Sequence, residues 1–277
     1  MRFIPLPFYQ MYAFFRRDAV NTSSYKLNFI FQIAGMFTWA ITAGILGKLT
    51  SPALQPYIAQ YGAQNAATFM MLGMMINQFL QVSQQAPLWI ANPGQLERII
   101  LTPCPIPVFV LGTMGWGYFW NLLSLVIFVG AGVFLFGMAL VTVDWATFVV
   151  VLIMGILAMW GLGIISAAIQ LVTKRWDPLT WIVSTFSFMI SGIFYPPNAL
   201  NQVDSSGTLF TLAWFLPQTY VYHMVRLGFG GFHLTDPEIL TPLLKLSCLS
   251  VGLFVVGWFV FRLCLRRCQR EGSLGWV

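Results

Sequence analysis

The chain runs to 277 residues, of which 58% are hydrophobic and 16% aromatic, while only 8% carry a charged side chain. A soluble domain carries about 25% charged residues, so this sequence lacks the ionic surface of a water-soluble globule. With a mean hydropathy of +0.77 and about 20 apolar residues needed per crossing, the length has room for roughly six spans. Soluble enzyme, nucleic-acid binder and disordered protein are thereby set aside. The net charge of +6 does not point to nucleic acid, because the few Lys and Arg of a membrane protein mostly set its orientation.

In chain order, 1–26 has no continuous apolar stretch before Arg16-Arg17, which predicts a retained segment and no cleaved leader. Its mixture of Phe, Tyr and Leu with Arg16, Arg17 and Asp18 suits a helix lying in the headgroup layer. Apolar runs then predict spans near 27–47, 66–91, 107–137, 146–172, 179–195 and 243–264. The expected architecture is an all-α membrane protein with a six-helix transmembrane domain over 27–264 and a basic cytoplasmic tail over 265–277. The stretch 196–242 is too broken by Pro, Gly and Asn for a plain span, yet Leu209–Val225 is strongly apolar. It is predicted as an external re-entrant hairpin shielded by neighbouring helices.

Charge asymmetry sets the direction. One side receives Arg2, Arg16, Arg17, Lys26, Arg98, Lys174, Arg175, Arg262, Arg266, Arg267 and Arg270, and the other only Lys48, Arg226 and Lys245. The positive-inside rule then places both termini in the cytoplasm, and a bacterial inner membrane is the expected setting. Cys104, Cys248, Cys264 and Cys268 form no CxxC pair, so neither a disulfide framework nor a zinc site is expected. The two halves do not read as copies of one another, which weakens an inverted-repeat carrier.

Chemistry inside a bilayer needs titratable groups at depth. Glu97 and Asp177 fall at cytoplasmic ends and Asp144, Asp204, Asp236 and Glu238 in external loops, while His223 and His233 lack any HExxH or paired-carboxylate context. Catalytic residues, metal ligands and bound cofactors are therefore not expected in this chain. Gly47-Lys48 is followed by Leu49, and the position five residues before Gly47 is Thr42, so the sequence has no P-loop. Energy for active transport would have to arrive from a partner through a cytoplasmic contact. The candidate docking element is a short helix between Pro93 and Pro103, on which Leu96, Ile99 and Ile100 share a face at i, i+3, i+4. A surface loop on the headgroups fits that pattern equally well.

Four short motifs in order carry a resemblance. Gly94, Leu96, Glu97 and Arg98, followed by Ile99, Ile100, Thr102 and Pro103, resemble the G-x-L-E-x-hydrophobic-x-x-T-P segment of ABC type-2 exporter permeases. Ser191-Gly192-Ile193-Phe194-Tyr195-Pro196 is similar to that family's SGxFFP, with Tyr195 in place of the second Phe. Leu216-Pro217-Gln218-Thr219-Tyr220 with Arg226 further on resembles its LPxTY and trailing Arg, and Arg175 and Asp177 fit its basic–acidic turn. The resemblance implies that segment 92–104 is a coupling helix meeting a separate ATP-binding cassette ATPase, on which ATP and Mg would bind. It also implies an external gate containing Gly192, Phe194, Pro196, Pro217, Tyr220 and Arg226.

Asn77, Gln81, Gln84 and Gln85 at i, i+4, i+7, i+8, with Gln78 beside them, stripe one face of the second predicted span. They read either as the wall of a polar pathway or as interhelical hydrogen-bonding groups. Small residues spaced by four at Ala40/Gly44, Ala43/Gly47 and Gly163/Ala167 permit close helix approach, within one chain or between two. Six helices make a thin wall for a pathway, so a homodimer or a pair of similar permeases is expected. The resulting expectation is the permease subunit of an exporter for an amphipathic solute such as a drug or lipid. Export of a lipid-linked polysaccharide or glycolipid is the nearest alternative, and a membrane-embedded enzyme the alternative from another class.

Overall fold

The computed structural model describes residues 6–61, 65–91, 104–138, 140, 143–173, 178–204 and 206–270. Among them all regular structure is helical. Helix α1 (Leu6–Ser24) ends at Tyr25, where the backbone leaves helical geometry, and α2 (Lys26–Ile58) begins at once. The two are thus separated by a single residue, and α1 packs on the start of a later span instead of extending α2. Phe14 meets Phe109 edge-on at 5.2 Å, Phe15 meets Trp116 at 5.3 Å, and the Trp116 indole N–H donates to Thr22 Oγ1 at 2.9 Å. Trp116 and Phe119 thus form the seat of α1.

Helix α2 is longer than its apolar run suggested: it continues through Pro52 and Pro56 to Ile58, then makes one tight turn over Ala59–Tyr61. Helix α3 (Ala66–Gln85) starts at Asn65, whose Oδ1 caps the Thr68 N–H at 2.8 Å and whose amide NH2 donates to the Phe136 carbonyl. It stops six residues before the predicted end of the span, because Pro87 has no N–H to continue the ladder. A tighter turn over Ala86–Ala91 takes its place. Glycine brings α2 and α3 backbone to backbone, since a Cβ on Gly47 would lie 2.4 Å from the Ala67 Cα.

Helix α4 (Ile106–Phe136) opens with proline in its first turn and closes at Gly137, whose φ of 71° lets the Met138 N–H reach back to the Gly132 carbonyl. Helix α5 (Trp145–Thr173) starts at Asp144, whose carboxylate accepts from the Thr147 N–H and hydroxyl. Helix α6 (Pro178–Ile190) has only 13 residues. That is about 20 Å of helix against a hydrocarbon core of about 30 Å. The predicted fifth span of 179–195 is therefore a shorter helix, ended by Gly192 at φ 89°.

Beyond it come a turn over Pro197–Ala199, one helical turn over Leu200–Val203, α7 (Thr208–Ala213) and α8 (Pro217–Phe229). Leu216 is extended, as a residue before proline tends to be, and this places the bend between α7 and α8. Neither helix is long enough to cross a bilayer. Helix α9 (Pro237–Arg270) runs 34 residues, with Glu238 in its first turn and Arg267 and Arg270 in its last, each complementing the helix dipole. It continues to Arg270, into the stretch read from sequence as a tail.

Helices α5 and α9 pack along most of their length. Gly161 and Gly257 make this possible, since a Cβ on either would meet the other helix's backbone at 2.8 Å. Among the described residues four helices, over Lys26–Pro52, Val108–Phe136, Trp145–Thr173 and Pro237–Arg270, are long and apolar enough to cross a membrane. The other two of the six expected spans differ for separate reasons. Helix α6 is short, and the amides of α3 dilute its apolar content while its remaining faces are buried among neighbours. Helix α3 is the centre of the molecule, and the main core cluster joins it to α2, α4, α5 and α8.

Candidate functional site

Arg226 on α8 organises the site. Its guanidinium is 0% exposed and is the largest fully buried side chain among the described residues. Nη1 donates to the Gly192 carbonyl and Nη2 to the Ile193 carbonyl, both at 2.6 Å, and Nε donates to the Phe69 carbonyl at 3.3 Å. The Phe69 ring lies 3.5 Å from the guanidinium carbon. Among the described residues no carboxylate pairs with Arg226, and a buried cation so placed is costly unless its donors are met. Here three carbonyls and one aromatic face meet them. Two of those carbonyls lie just past the C-terminal end of α6, where the helix dipole is negative.

Sequence reading counted Arg226 among the charges of the outer loops and found essentially no ionisable group at depth. The structure adds that Arg226 is buried in the protein core, clamping the hairpin to the break after α6. The clamp also depends on residues that the motifs did not single out. A Cβ on Gly73 would lie 2.2 Å from the Ile193 carbonyl oxygen and 2.4 Å from Arg226 Nη2, so glycine is needed at that crossing. The one sequence signal for Gly73 is a lone glycine inside an apolar helical run.

The remaining residues of the predicted gate surround this clamp. Gly192 belongs to it directly, through its carbonyl and its positive φ. Phe194 packs edge-on against Phe188 at 5.0 Å, and Pro196 and Pro217 are buried. Tyr220 lies outside the clamp and stacks edge-on with Trp214 at 4.9 Å. Two further hydrogen bonds fasten α8. Tyr222 donates to Asn77 Oδ1 at 2.9 Å, and His223 Nδ1 pairs with the Tyr61 hydroxyl at 2.8 Å. Its far end meets the junction of α4 and α5, where the Gly228 carbonyl accepts from the Asp144 N–H at 2.9 Å.

The amides of α3 do not face a single direction. Asn77 turns to α8. Gln78 turns to α4, its side chain accepting from Ser124 at 2.7 Å and its carbonyl from Asn121 at 3.2 Å. Gln81 turns to α6 and accepts from Ser184 at 3.3 Å. Gln84 is 0% exposed with neither amide atom hydrogen-bonded among the described residues. Gln85 is exposed in a cleft of about 320 Å³ beneath α1, shared with Arg17, Asp18 and Trp116.

Of the small-residue pairs, Gly44 faces the Phe136 ring and Gly47 faces α3. Gly163 meets the Gln84 carbonyl and Pro87. All three close approaches are within one chain.

Asp144 is a titratable group at the junction of α4 and α5, beside His233. The Thr147 hydroxyl that donates to it holds its carboxyl below the usual carboxylate range, helped by the Thr147 N–H and by His233 at 3.8 Å. The residues of the predicted coupling segment, Gly94, Leu96, Glu97, Arg98, Ile99, Ile100, Thr102 and Pro103, together with Arg175 and Asp177, lie outside the described residues.

Comparison with known families finds that residues 9–229 match the model of the ABC-2 type transporter. The match begins in α1 and ends at the last residue of α8. No curated protein matches the chain.

Proposed function

The chain belongs to the ABC-2 type transporter family as a membrane permease subunit, and on that premise we propose that it exports a bulky amphipathic solute, such as a drug or lipid, driven by a separate ATPase. The observation that carries the mechanism is the position of α3. Its C-terminal end leads through Ala86–Ala91 into segment 92–104, and its N-terminal half holds Phe69 and Gly73 against Arg226. From Gln85 to Phe69 the helix is about 24 Å long.

A push on segment 92–104 by a closing ATPase therefore reaches the hairpin clamp through one stiff element. Helix α1 braces the same end by resting on α4. Shifting α3 against Gly192 and Ile193 loosens the seat of Arg226, and the hairpin with Pro217 and Tyr220 swings as the external gate. Asn77, Gln81, Gln84 and Gln85 offer neutral polar groups along the way. Two copies, or this chain and a similar permease, enclose the path, with both termini on the ATPase side of a bacterial inner membrane. ATP and Mg act on the partner.

A glycolipid or lipid-linked polysaccharide cargo is favoured by one feature. Phe210, Trp214, Phe215 and Tyr220 line an open groove of about 750 Å³ beside Lys245, where sugar rings can stack. The family role is transport, so the membrane-enzyme alternative is not carried forward.

Reconstitution of the permease with its ATPase in sealed vesicles tests the reading. Glu97→Arg is expected to uncouple ATP turnover from flux by about tenfold or more, a loss of about 1.4 kcal/mol or more of coupling. Unchanged flux and ATPase association in that variant would remove segment 92–104 from the mechanism. Flux with no ATPase supplied would remove the borrowed power stroke.

A further inference from the structure

A cavity of about 440 Å³ opens between α4, α5 and α9 near the basic end of α9. It has the size of an ordinary small-molecule site. Its walls are hydrocarbon and aromatic: Leu111 from α4, Trp160 and Ile164 from α5, and Trp258 and Phe261 from α9. The charged side chain in the lining is Arg262, whose guanidinium lies 4.8 Å from the centre of the Trp258 ring. Leu111 and Trp258 are substantially exposed, so the cavity opens sideways, onto the face that a bilayer would cover.

The charge pattern at the mouth says what would fill it. Arg266 lies one helical turn beyond Arg262 on the same face of α9, and it lines a shallow cleft with Arg267 and Arg270. No carboxylate forms an ion pair with Arg262 among the described residues. An apolar slot with guanidinium groups at its interfacial end is complementary to a lipid with an apolar tail and an anionic head. Phosphate matches the forked donors of arginine. A neutral zwitterionic lipid would fill the slot but bring an ammonium group toward the same cations.

We propose that this cavity holds one anionic phospholipid of the adjoining leaflet, with an acyl chain between Leu111, Ile164 and Phe261 and the phosphate at Arg262. The site lies on the outside of the helix bundle, apart from the amides of α3 and from the hairpin clamp. The proposal rests on α9 being a membrane span and does not depend on what the permease carries.

The test is lipid retention by the full chain, purified in neutral detergent and titrated with phosphatidylglycerol or phosphatidylcholine of the same acyl composition, with bound lipid counted by native mass spectrometry. One phosphatidylglycerol per chain is expected to survive in preference to phosphatidylcholine. Arg262→Gln should weaken phosphatidylglycerol retention about fivefold, the loss expected for one basic residue at an anionic headgroup, and leave phosphatidylcholine unchanged. Leu111→Trp, at the exposed lip where folding is not at stake, should narrow the slot and reduce both lipids. Equal retention of the two lipids, or retention that ignores either substitution, would overturn the site. Because the readout is binding without transport, its failure leaves the exporter reading standing.

Discussion

Arg226 shows how much a single buried cation can dictate. Its guanidinium fork reaches three carbonyls from two separate segments, a geometry that one ammonium group cannot reproduce. Arg226→Leu would leave those acceptors unpaired, each at a cost of about 1–3 kcal/mol. Arg226→Lys would keep the charge and lose the fork. Both are expected to lower the thermal midpoint of the detergent-solubilised permease clearly, and Gly73→Ala should do so as well without removing any polar group. A midpoint unchanged in all three would mean that the clamp does not hold the hairpin. Arg226 was legible in the sequence as the trailing member of a motif. Its depth was not, because a one-dimensional pattern places a charge near a proline-rich loop in water by default.

At the scale of elements, stops and starts follow local chemistry closely. Pro87 ends α3, Gly137 ends α4, Gly192 ends the path of α6, and Asp144 starts α5. The Asp144 carboxylate also ties the start of α5 to the loop after α8 through Thr147 and His233. Its pKa is lowered on folding, so it adds stability above the unfolded value and loses it as pH falls through the folded one. In thermal melts taken from pH 7 downward, wild type should exceed Asp144→Asn from neutrality down to the ordinary carboxylate range and converge with it only below about pH 4. Parallel curves for the two proteins would show that the carboxylate charge contributes nothing to folding. The six apolar runs were visible to hydropathy, but the length of α6 and the early end of α3 depend on where a glycine and a proline fall. The extension of α2 through two prolines went the other way, since neighbouring helices can support a turn that lacks its own N–H bonds.

Over the whole molecule, α3 links the segment that would meet an ATPase to the hairpin that would gate the far side. Each close approach made by a small-residue pair is used inside the chain, so the expected partner permease must meet a different surface. The exposed apolar face of α2, with Leu27, Ile30 and Phe31 near its start, is available for that contact. Two differently tagged copies expressed together should co-purify, and Phe31→Asp should reduce the yield of the pair while each copy stays monodisperse. Failure of the tags to co-purify would exclude the homodimer and leave pairing with a similar permease.

The sequence by itself determined that this chain lives in a membrane, that it is helical, and that it belongs with the ABC type-2 permeases, because apolar length and short ordered motifs are local properties. The tertiary structure decided which polar groups face one another. The α3 amides looked like one stripe and are divided among α8, α4 and α6, since helices pack on all sides of α3. The burial of Arg226 was settled in the same way, by carbonyls of Phe69, Gly192 and Ile193 that lie far from it in sequence. The energetic cost of a buried charge depends on what surrounds it in space, and no spacing along the chain records that.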